Sequence, residues 1–374
     1  MKSERDTGPP VYQQIKSTLR QEISGGHYPP DSAFITQRAL CERFGVSNTT
    51  AVRVLNDLVG EGLLVRRRGL GTFVAERTTA ERGVERVISC ILHGLQDSYV
   101  AQVLSGVESV CNELGYRLLL TDTGESAHRE EEALRHAQRA GVDGVVLYPV
   151  EGRGHAGVLS DLRSQDVPVV MIDRYRPDVI CDAVTVDNDD VGYQLTKGLI
   201  ALGHERIATL WSETDCTSVH ERLAGHIRAL RENGLPIRSE FTALRRYWPT
   251  DEHARQLQLQ HLIELPEPPT AMLCSNGYVV AAAVHDLIAL GVAVPDTIDI
   301  AGMDDAGPYN LLPLTVLCAS LPSKELGRQA AQLLNSRLSS ADALGATERV
   351  ILPVTIRNRQ STAAHLRAVS TSDI

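Results

Sequence analysis

The chain has 374 residues, of which 43% are hydrophobic, and its 37 Lys and Arg against 47 Asp and Glu give a net charge of −10 at pH 7. A chain of this length exceeds what one core usually serves, so we expect two or three globular domains. No apolar run approaches the roughly 20 residues that span a bilayer, and the N-terminus is polar without a secretory h-region. We therefore expect no membrane partner and a cytoplasmic location.

The charge is unevenly distributed along the chain. Residues 1–76 carry ten Lys and Arg against eight Asp and Glu, a net charge of +2, which leaves −12 for the remainder. An acidic body repels DNA, so any contact with DNA should come from the head. The seven cysteines are scattered without a CxxC pair, and we expect reduced, mostly buried thiols rather than a zinc or redox site.

The head begins with the spacing of a helix-turn-helix motif. Residues 36–44 predict a helix with a polar start, Gly45 and Val46 predict a tight turn, and Ser47 is a suitable N-cap for a second helix. Short hydrogen-bonding side chains open this second helix: Ser47, Asn48, Thr49 and Thr50. They stand where a recognition helix meets phosphates and base edges.

A hairpin is predicted after the second helix. Residues 64–66 and 72–74 have the composition of two short strands, and the loop between them, from Arg67 to Gly71, contains Arg68 and Gly69. Glycine permits a tight turn, and the arginines bring positive charge to its tip. The alternative is a small helical domain whose hairpin is merely solvated.

Residues 10–75 resemble the winged helix of GntR-type bacterial regulators. The resemblance rests on YQQIKSTLRQEISGGHYPP and TQRALCERFGVSNTTAVRVLNDLVGEGLLVRRRGLGTFVA, which combine the first helix, the turn and the wing in the family's order. It implies DNA contacts at four positions: Arg38, Thr49, Thr50 and Gly69. The family usually has Arg where this chain has Asn48. It often has a pair of arginines where this chain has Val52 and Arg53, so only the second arginine of that pair is present. Asn can itself read adenine through two hydrogen bonds.

Behind the head, residues 75–85 have no apolar periodicity and predict a linker. Apolar strands then alternate with amphipathic helices. The predicted strands cover 86–92, 117–121, 144–148, 168–172, 207–211, 270–274 and 298–302, and the predicted helices cover 98–114, 127–140, 189–202, 218–232, 251–264 and 277–290. This alternation of strands and helices indicates parallel βαβ units in two doubly wound lobes. We expect a ligand between the two lobes, at the carboxyl ends of the strands.

The body resembles the effector domain of LacI-type repressors, itself similar to periplasmic sugar-binding proteins, from about residue 86 to 359. The segments that carry the resemblance include GVDGVVLYP, VPVVMIDR, ERLAGHIRALRENGLP and VPDTIDIAGMDD. It implies an α/β protein in which a winged helix-turn-helix domain (1–76) and a linker (77–85) precede a two-lobed, parallel-sheet domain for effector binding and dimerisation (86–374). A GntR-type head on a LacI-type body occurs in arabinose-responsive regulators.

The same resemblance implies a set of ligand-binding residues: Gln96, Asp97, Tyr99, Asp173, Arg174, Arg222, Trp248, Asn276 and Asp304. Their chemistry suits a sugar, because carboxylates and amides accept from hydroxyls, Arg spans two neighbouring hydroxyls, and an aromatic ring covers the C–H face of a pyranose. Three alternatives stay open. Arg222 and Asp304 could form structural ion pairs, Asn276 could cap a helix, and Trp248 could cover the rim of the cleft.

Signatures of catalysis are not found in the sequence. It contains no GxSxG elbow, no Walker loop and no strand followed by GxGxxG, and the two body lysines, Lys197 and Lys324, stand in no recognisable cofactor setting. We therefore expect no catalytic residue, metal or cofactor, and an enzyme fused to a DNA-binding head is the less favoured alternative. The resemblances imply a homodimeric repressor that binds operator DNA and is released by a small carbohydrate, with a phosphorylated sugar or nucleobase-like ligand as the alternative effector.

Overall fold

The computed structural model describes residues 11–24, 27–29, 32–60, 63–67, 71–74, 86–152, 154, 156–303, 314–340 and 345–358. The chain divides into two compact units, Met1–Glu85 and Arg86–Ile374. The predicted linker at 77–85 lies outside the described residues. Its bounds therefore stay a prediction.

The first unit contains three helices and a hairpin: α1 (Val11–Ser24), α2 (Gln37–Phe44), α3 (Asn48–Gly60), β1 (Leu64–Arg67) and β2 (Gly71–Val74). Thr36 caps α2 by accepting a hydrogen bond from the Ala39 amide, and Gly45 ends the helix with a φ of 61°. The Ser47 hydroxyl accepts from the Thr50 amide at 3.3 Å at the start of α3. The helix-turn-helix prediction is therefore confirmed.

One apolar core joins the three helices to the hairpin, formed by Ile15, Leu19, Phe34, Leu40, Ala51, Val54, Leu55, Leu58, Leu64 and Val74. In the antiparallel hairpin, Arg67 lies opposite Gly71. The prediction that both residues belong to the connecting loop is wrong, because the Arg67 guanidinium stacks 4.7 Å from the centre of the Phe73 ring and extends the cross-strand contact. Arg68 and Gly69 lie outside the described residues.

Lobe 1 of the second unit is built on a six-stranded sheet in the order β12-β7-β6-β5-β3-β4, parallel throughout. The strands are β3 (Val87–Leu92), β4 (Arg117–Asp122), β5 (Gly144–Leu147), β6 (Val169–Ile172), β7 (Asp182–Val186) and β12 (Arg349–Leu352). The helices of this lobe are α4 (Ser98–Glu113), α5 (Ala127–Ala140), α6 (Ala156–Ser164) and α12 (Ser323–Ser339).

Lobe 2 is built on a five-stranded sheet in the order β13-β11-β10-β9-β8, in which only β13 is antiparallel to its neighbour. The strands are β8 (Ile207–Leu210), β9 (Ala271–Cys274), β10 (Asp299–Gly302), β11 (Leu317–Ser320) and β13 (Thr355–Asn358). The helices are α7 (Asn188–Ala201), α8 (Thr217–Glu232), α9 (Ser239–Thr242), α10 (Glu252–Ile263) and α11 (Gly277–Ala289).

The chain passes between the lobes three times: after β7, after β11 and after β12. The two predicted lobes are confirmed, and the individually predicted strands and helices of the body are present with ends shifted by at most one residue. All seven cysteines are free and five of them are buried, as expected. Among the described helices, none is long and apolar enough to cross a membrane.

Glycines bring two pairs of helices into backbone contact. A Cβ added at Gly192 of α7 would lie 1.9 Å from the carbonyl oxygen of Arg222 on α8, and one added at Gly225 of α8 would lie 1.9 Å from the carbonyl oxygen of Asp189. Gly106 has the same role between α4 and α12. No side chain fits at these contacts, so α7 fixes the position of α8 and of the Arg222 that it carries.

Candidate functional site

A cavity of about 420 Å³ lies between the two lobes, at the carboxyl ends of strands from both sheets. Lobe 1 lines it with residues that follow β3, β5 and β6, and lobe 2 with residues that follow β8 and β9 and with α8. The structure brings eight of the nine candidate ligand residues to this cleft: Gln96, Asp97, Tyr99, Asp173, Arg174, Arg222, Trp248 and Asn276. Asp304 lies outside the described residues, and ligand contact stays a prediction for all nine.

Asp173 is a buried carboxylate directly after β6. Its backbone has a φ of 67°, which is unusual for a residue other than glycine and is typical of functional sites. The carboxylate accepts hydrogen bonds from the Tyr99 hydroxyl at 2.5 Å and from Nε of Arg174 at 3.3 Å. Burial disfavours the charged form of the Asp173 carboxylate, but the positive charges of Arg174 and Arg222 outweigh the effect of burial. They hold the pKa of Asp173 below its usual range. The cleft therefore contains an ionised, oriented acceptor.

Arg174 forms an ion pair that crosses between the lobes. Its Nη1 and Nη2 donate to the two carboxylate oxygens of Glu213, which follows β8, at 2.6 and 2.7 Å, and Nη2 also donates to the Tyr148 hydroxyl at 2.8 Å. Burial disfavours both charges, yet their attraction raises the pKa of Arg174 and lowers that of Glu213. Glu213 was missed by sequence reasoning, because nothing in its local sequence signals a partner 39 residues away on the other lobe.

Arg222 is anchored by uncharged groups. Its Nε donates to Oδ1 of Asn188 at 2.8 Å, and its Nη1 lies 3.4 Å from the Ser275 carbonyl oxygen. Within the described part of the chain, no ion pair involves Arg222 and no hydrogen bond uses its Nη2. The alternative of a structural ion pair therefore has no support from these residues, and one nitrogen of the guanidinium is free to face a ligand.

Asn276 and Asp97 have capping roles at the cleft. Oδ1 of Asn276 accepts from the Val279 amide at 3.0 Å, while its Nδ2 donates to the Ser212 hydroxyl at 3.1 Å. The capping alternative for Asn276 is thus confirmed, in a side chain that also lines the cleft. Asp97 caps α4 by accepting from the Tyr99 amide at 2.8 Å, and burial raises its pKa.

Aromatic rings form two walls of the cleft. Trp248 stacks on Tyr278 of lobe 2, with centroids 6.1 Å apart and planes 12° apart. In lobe 1, His93 stacks on Tyr148 at 4.2 Å and was missed by sequence reasoning as a lining residue. Burial and the nearby Arg174 lower the pKa of His93 to about 4, so the imidazole is neutral. These walls give the polar cleft flat apolar surfaces.

The head presents most of its candidate DNA-contact residues to solvent. Arg38 is 91% exposed and pairs with Glu42 on its own helix at 3.0 Å. Asn48, Thr49 and Arg53 are exposed on α3, and the Arg53 guanidinium lies 4.2 Å from the centre of the Tyr12 ring. The hydroxyls of Ser47 and Thr50 are 3.0 Å apart. DNA contact by individual residues stays a prediction.

A winged head followed by a two-lobed body with a polar interlobe cleft defines a DNA-binding transcriptional regulator whose body has the fold of a binding protein. Residues 85–360 match the periplasmic binding proteins and sugar binding domain of the LacI family, and residues 11–74 match the bacterial regulatory proteins of the gntR family. The chain belongs to the LacI-type family through its body, and its head is of the gntR type.

Two relatives and one solved structure illustrate the match. The chain is 30% identical over 344 residues to the arabinose metabolism transcriptional repressor of Geobacillus stearothermophilus, over 90% of this chain and 94% of that protein. It is 28% identical over 311 residues to the HTH-type transcriptional repressor PurR of Photobacterium profundum, over 79% and 89%. A LacI family transcriptional regulator from Enterococcus faecium, solved with bound ribose, has the same fold, with a TM-score of 0.62 and 21% identity over 73% of this chain and 97% of that chain.

Proposed function

We propose that the protein is a homodimeric repressor whose interlobe cleft binds a small neutral sugar and which leaves its operator when the sugar binds. Two heads related by a two-fold axis read a roughly palindromic operator. The sugar weakens DNA binding because it stabilises a conformation of the body in which the two heads do not match the spacing of the operator.

The negative charge of the cleft is the main observation in favour of a neutral ligand. In the described lining, five carboxylates outnumber two guanidinium groups: Asp97, Asp122, Glu125, Asp173 and Glu213 against Arg174 and Arg222. Arg174 is already engaged by Glu213. A phosphorylated sugar would add negative charge to an acidic cleft, and like charges in a partly buried site repel strongly. This favours a neutral sugar over the phosphorylated alternative.

The arrangement of the polar groups also fits hydroxyls. Asp173 supplies acceptors from lobe 1 and Arg222 supplies a donor from lobe 2, so a ligand that bonds both would hold the lobes together. The Trp248 ring offers a flat apolar surface to the C–H face of a sugar ring. Relatives named as repressors of arabinose metabolism and a neighbour with bound ribose support a pentose as the first candidate.

Calorimetry on the full chain tests the proposal. We expect a saturable heat with one neutral sugar from a panel containing L-arabinose, D-ribose and D-glucose, and none with their phosphate esters or with adenine. The same sugar should release the protein from operator DNA in a gel-shift titration, and chromatography should recover it unchanged. Binding only by phosphate esters would contradict the neutral ligand, and turnover of the sugar would favour the enzyme alternative.

A further inference from the structure

Two amide side chains from different helices meet on the surface of the head. Gln37 is the first residue of α2 and Asn48 is the first residue of α3. Nε2 of Gln37 donates a hydrogen bond to Oδ1 of Asn48. The thiol of Cys41 lies 4.0 Å from the same oxygen. The carbonyl oxygen of Asn48 is thereby turned towards α2, although its side chain is exposed.

This contact determines which atoms remain available to a partner. The Asn48 amide retains its two N–H donors, and the Gln37 amide retains its carbonyl oxygen as an acceptor. Among the residues that the structure describes, neither group has another hydrogen-bond partner. One donor and one acceptor therefore stand side by side at the start of the recognition helix.

We infer that Gln37 and Asn48 form one base-reading unit that selects an A·T pair in the major groove, with Gln37 as a specificity-determining residue. Adenine presents an acceptor at N7 and a donor at N6, which complement the free Asn48 donor and the free Gln37 acceptor. Guanine presents two acceptors, N7 and O6, and would set O6 against the Gln37 oxygen. The inference rests on the DNA-binding role of the head in the proposed function.

The contact also reduces the cost of reading the base. An exposed Asn side chain samples several rotamers, and fixing it on DNA costs conformational entropy. The hydrogen bond from Gln37 fixes Asn48 before DNA arrives. Removing Gln37 should therefore weaken the base preference of Asn48 even if the Asn48 amide still reaches the base.

Selection from a randomised operator library tests the inference, with the full-length wild type, Gln37→Ala, Asn48→Ala and the double variant. We expect the wild type to prefer A·T at one position per half-site by roughly 5- to 150-fold, the range of a bidentate contact. Both single variants should lose preference at that same position, and the double variant should lose no more than Asn48→Ala does. Arg38→Ala, which removes an exposed charge next to Gln37, is the control and should weaken binding to all sequences equally.

A conservative variant supplies a readout that a merely structural role would not change. Gln37→Glu retains acceptor oxygens but no donor, so the Asn48 amide should turn its N–H towards the carboxylate and present its oxygen to the base. The preference at the shared position should then move towards cytosine, which offers a donor at N4. An unchanged preference in Gln37→Ala, or a wild-type preference for guanine at the Asn48 position, would overturn the inference. A wild type that enriches no sequence would instead contradict DNA binding by the head, and with it the inference.

Discussion

The ion pair between Arg174 and Glu213 joins the two lobes beside the cleft, and we expect it to hold the cleft closed. In Glu213→Ala, the guanidinium would lose two hydrogen bonds of 2.6 and 2.7 Å. The Arg174 side chain is only 3% exposed, so while the lobes stay together its guanidinium would lose a charged partner without returning to bulk water. The Tyr148 hydroxyl and the Asp173 carboxylate would remain in contact with it.

The size of the effect follows from these contacts. Removing one partner of a buried ion pair costs about 3–5 kcal/mol. Two of the other contacts of Arg174 persist, so we expect roughly 2–3 kcal/mol against the closed form. An open form returns Arg174 to water and does not bear this cost. At about 1.4 kcal/mol per factor of ten, the open population should rise roughly 30- to 140-fold.

Cys216 is a native reporter of this opening. It is 8% exposed and lines a second interlobe cavity of about 270 Å³, which Arg174 also borders. The rate of its alkylation by N-ethylmaleimide, followed by mass spectrometry on the full chain, should rise with the open population in Glu213→Ala. Asp189→Ala is the matched control, because Asp189 pairs with Arg228 within lobe 2 and its loss should leave the rate unchanged.

The buried core thiol of Cys90, which is 0% exposed, separates opening of the lobes from unfolding. Opening should expose Cys216 and leave Cys90 unreactive. Equal alkylation of Cys216 in Glu213→Ala and in the wild type would refute the reasoning. A parallel rise at Cys90 would assign the change to global unfolding and would equally contradict it.

Three further predictions concern the ligand, the pH dependence of stability and the wing. Arg222→Ala should abolish sugar binding in calorimetry and spare operator affinity without ligand, since Arg222 lines the cleft of the body; undiminished sugar affinity would place the site elsewhere. Burial raises the pKa of Glu130 from 4.5 to about 7. The folded protein therefore holds this proton to higher pH than the unfolded chain does. The contribution of the protonated Glu130 to the free energy of unfolding is complete below pH 4.5 and is lost as pH rises through 7. Glu130→Gln should remove this slope and exceed the wild type at pH 8 by up to about 3 kcal/mol in urea unfolding, whereas an unchanged slope would exclude the buried carboxyl as its source. Arg67→Ala should flatten the salt dependence of operator binding without changing base preference, and an unaltered slope in gel shifts would place the wing away from DNA.

The position of the cleft could be predicted from the sequence because strand ends can be recognised locally. Asp173 directly follows the apolar run VVMI, and Asn276 follows AMLC after one serine. The carboxyl ends of parallel strands meet at one edge of a sheet, so residues at these ends lie close together whatever the sequence of the segments that connect the strands. Helix capping by Ser47 could be predicted for the same reason, since the cap lies within three residues of its partner.

Contacts between the lobes could not be predicted in this way. The pairing of Arg174 with Glu213 depends on the relative placement of two sheets, which no local pattern encodes. The role of His93 depends on a ring that follows another strand. The four-residue strands β12 and β13 are partly exposed, so they have no long apolar run to mark them, and their assignment to different lobes is a property of the whole topology.

The chain crosses between the lobes three times, and this affects how the lobes fold during translation and whether one lobe can be expressed alone. Lobe 1 needs β12, at Arg349–Leu352, and lobe 2 needs β13, at Thr355–Asn358, so each sheet receives a strand from the last part of the chain. During translation neither lobe can be completed before the ribosome has passed residue 349. A premature stop codon shortly before that point would damage both lobes at once, and no single contiguous fragment of the gene encodes either lobe alone.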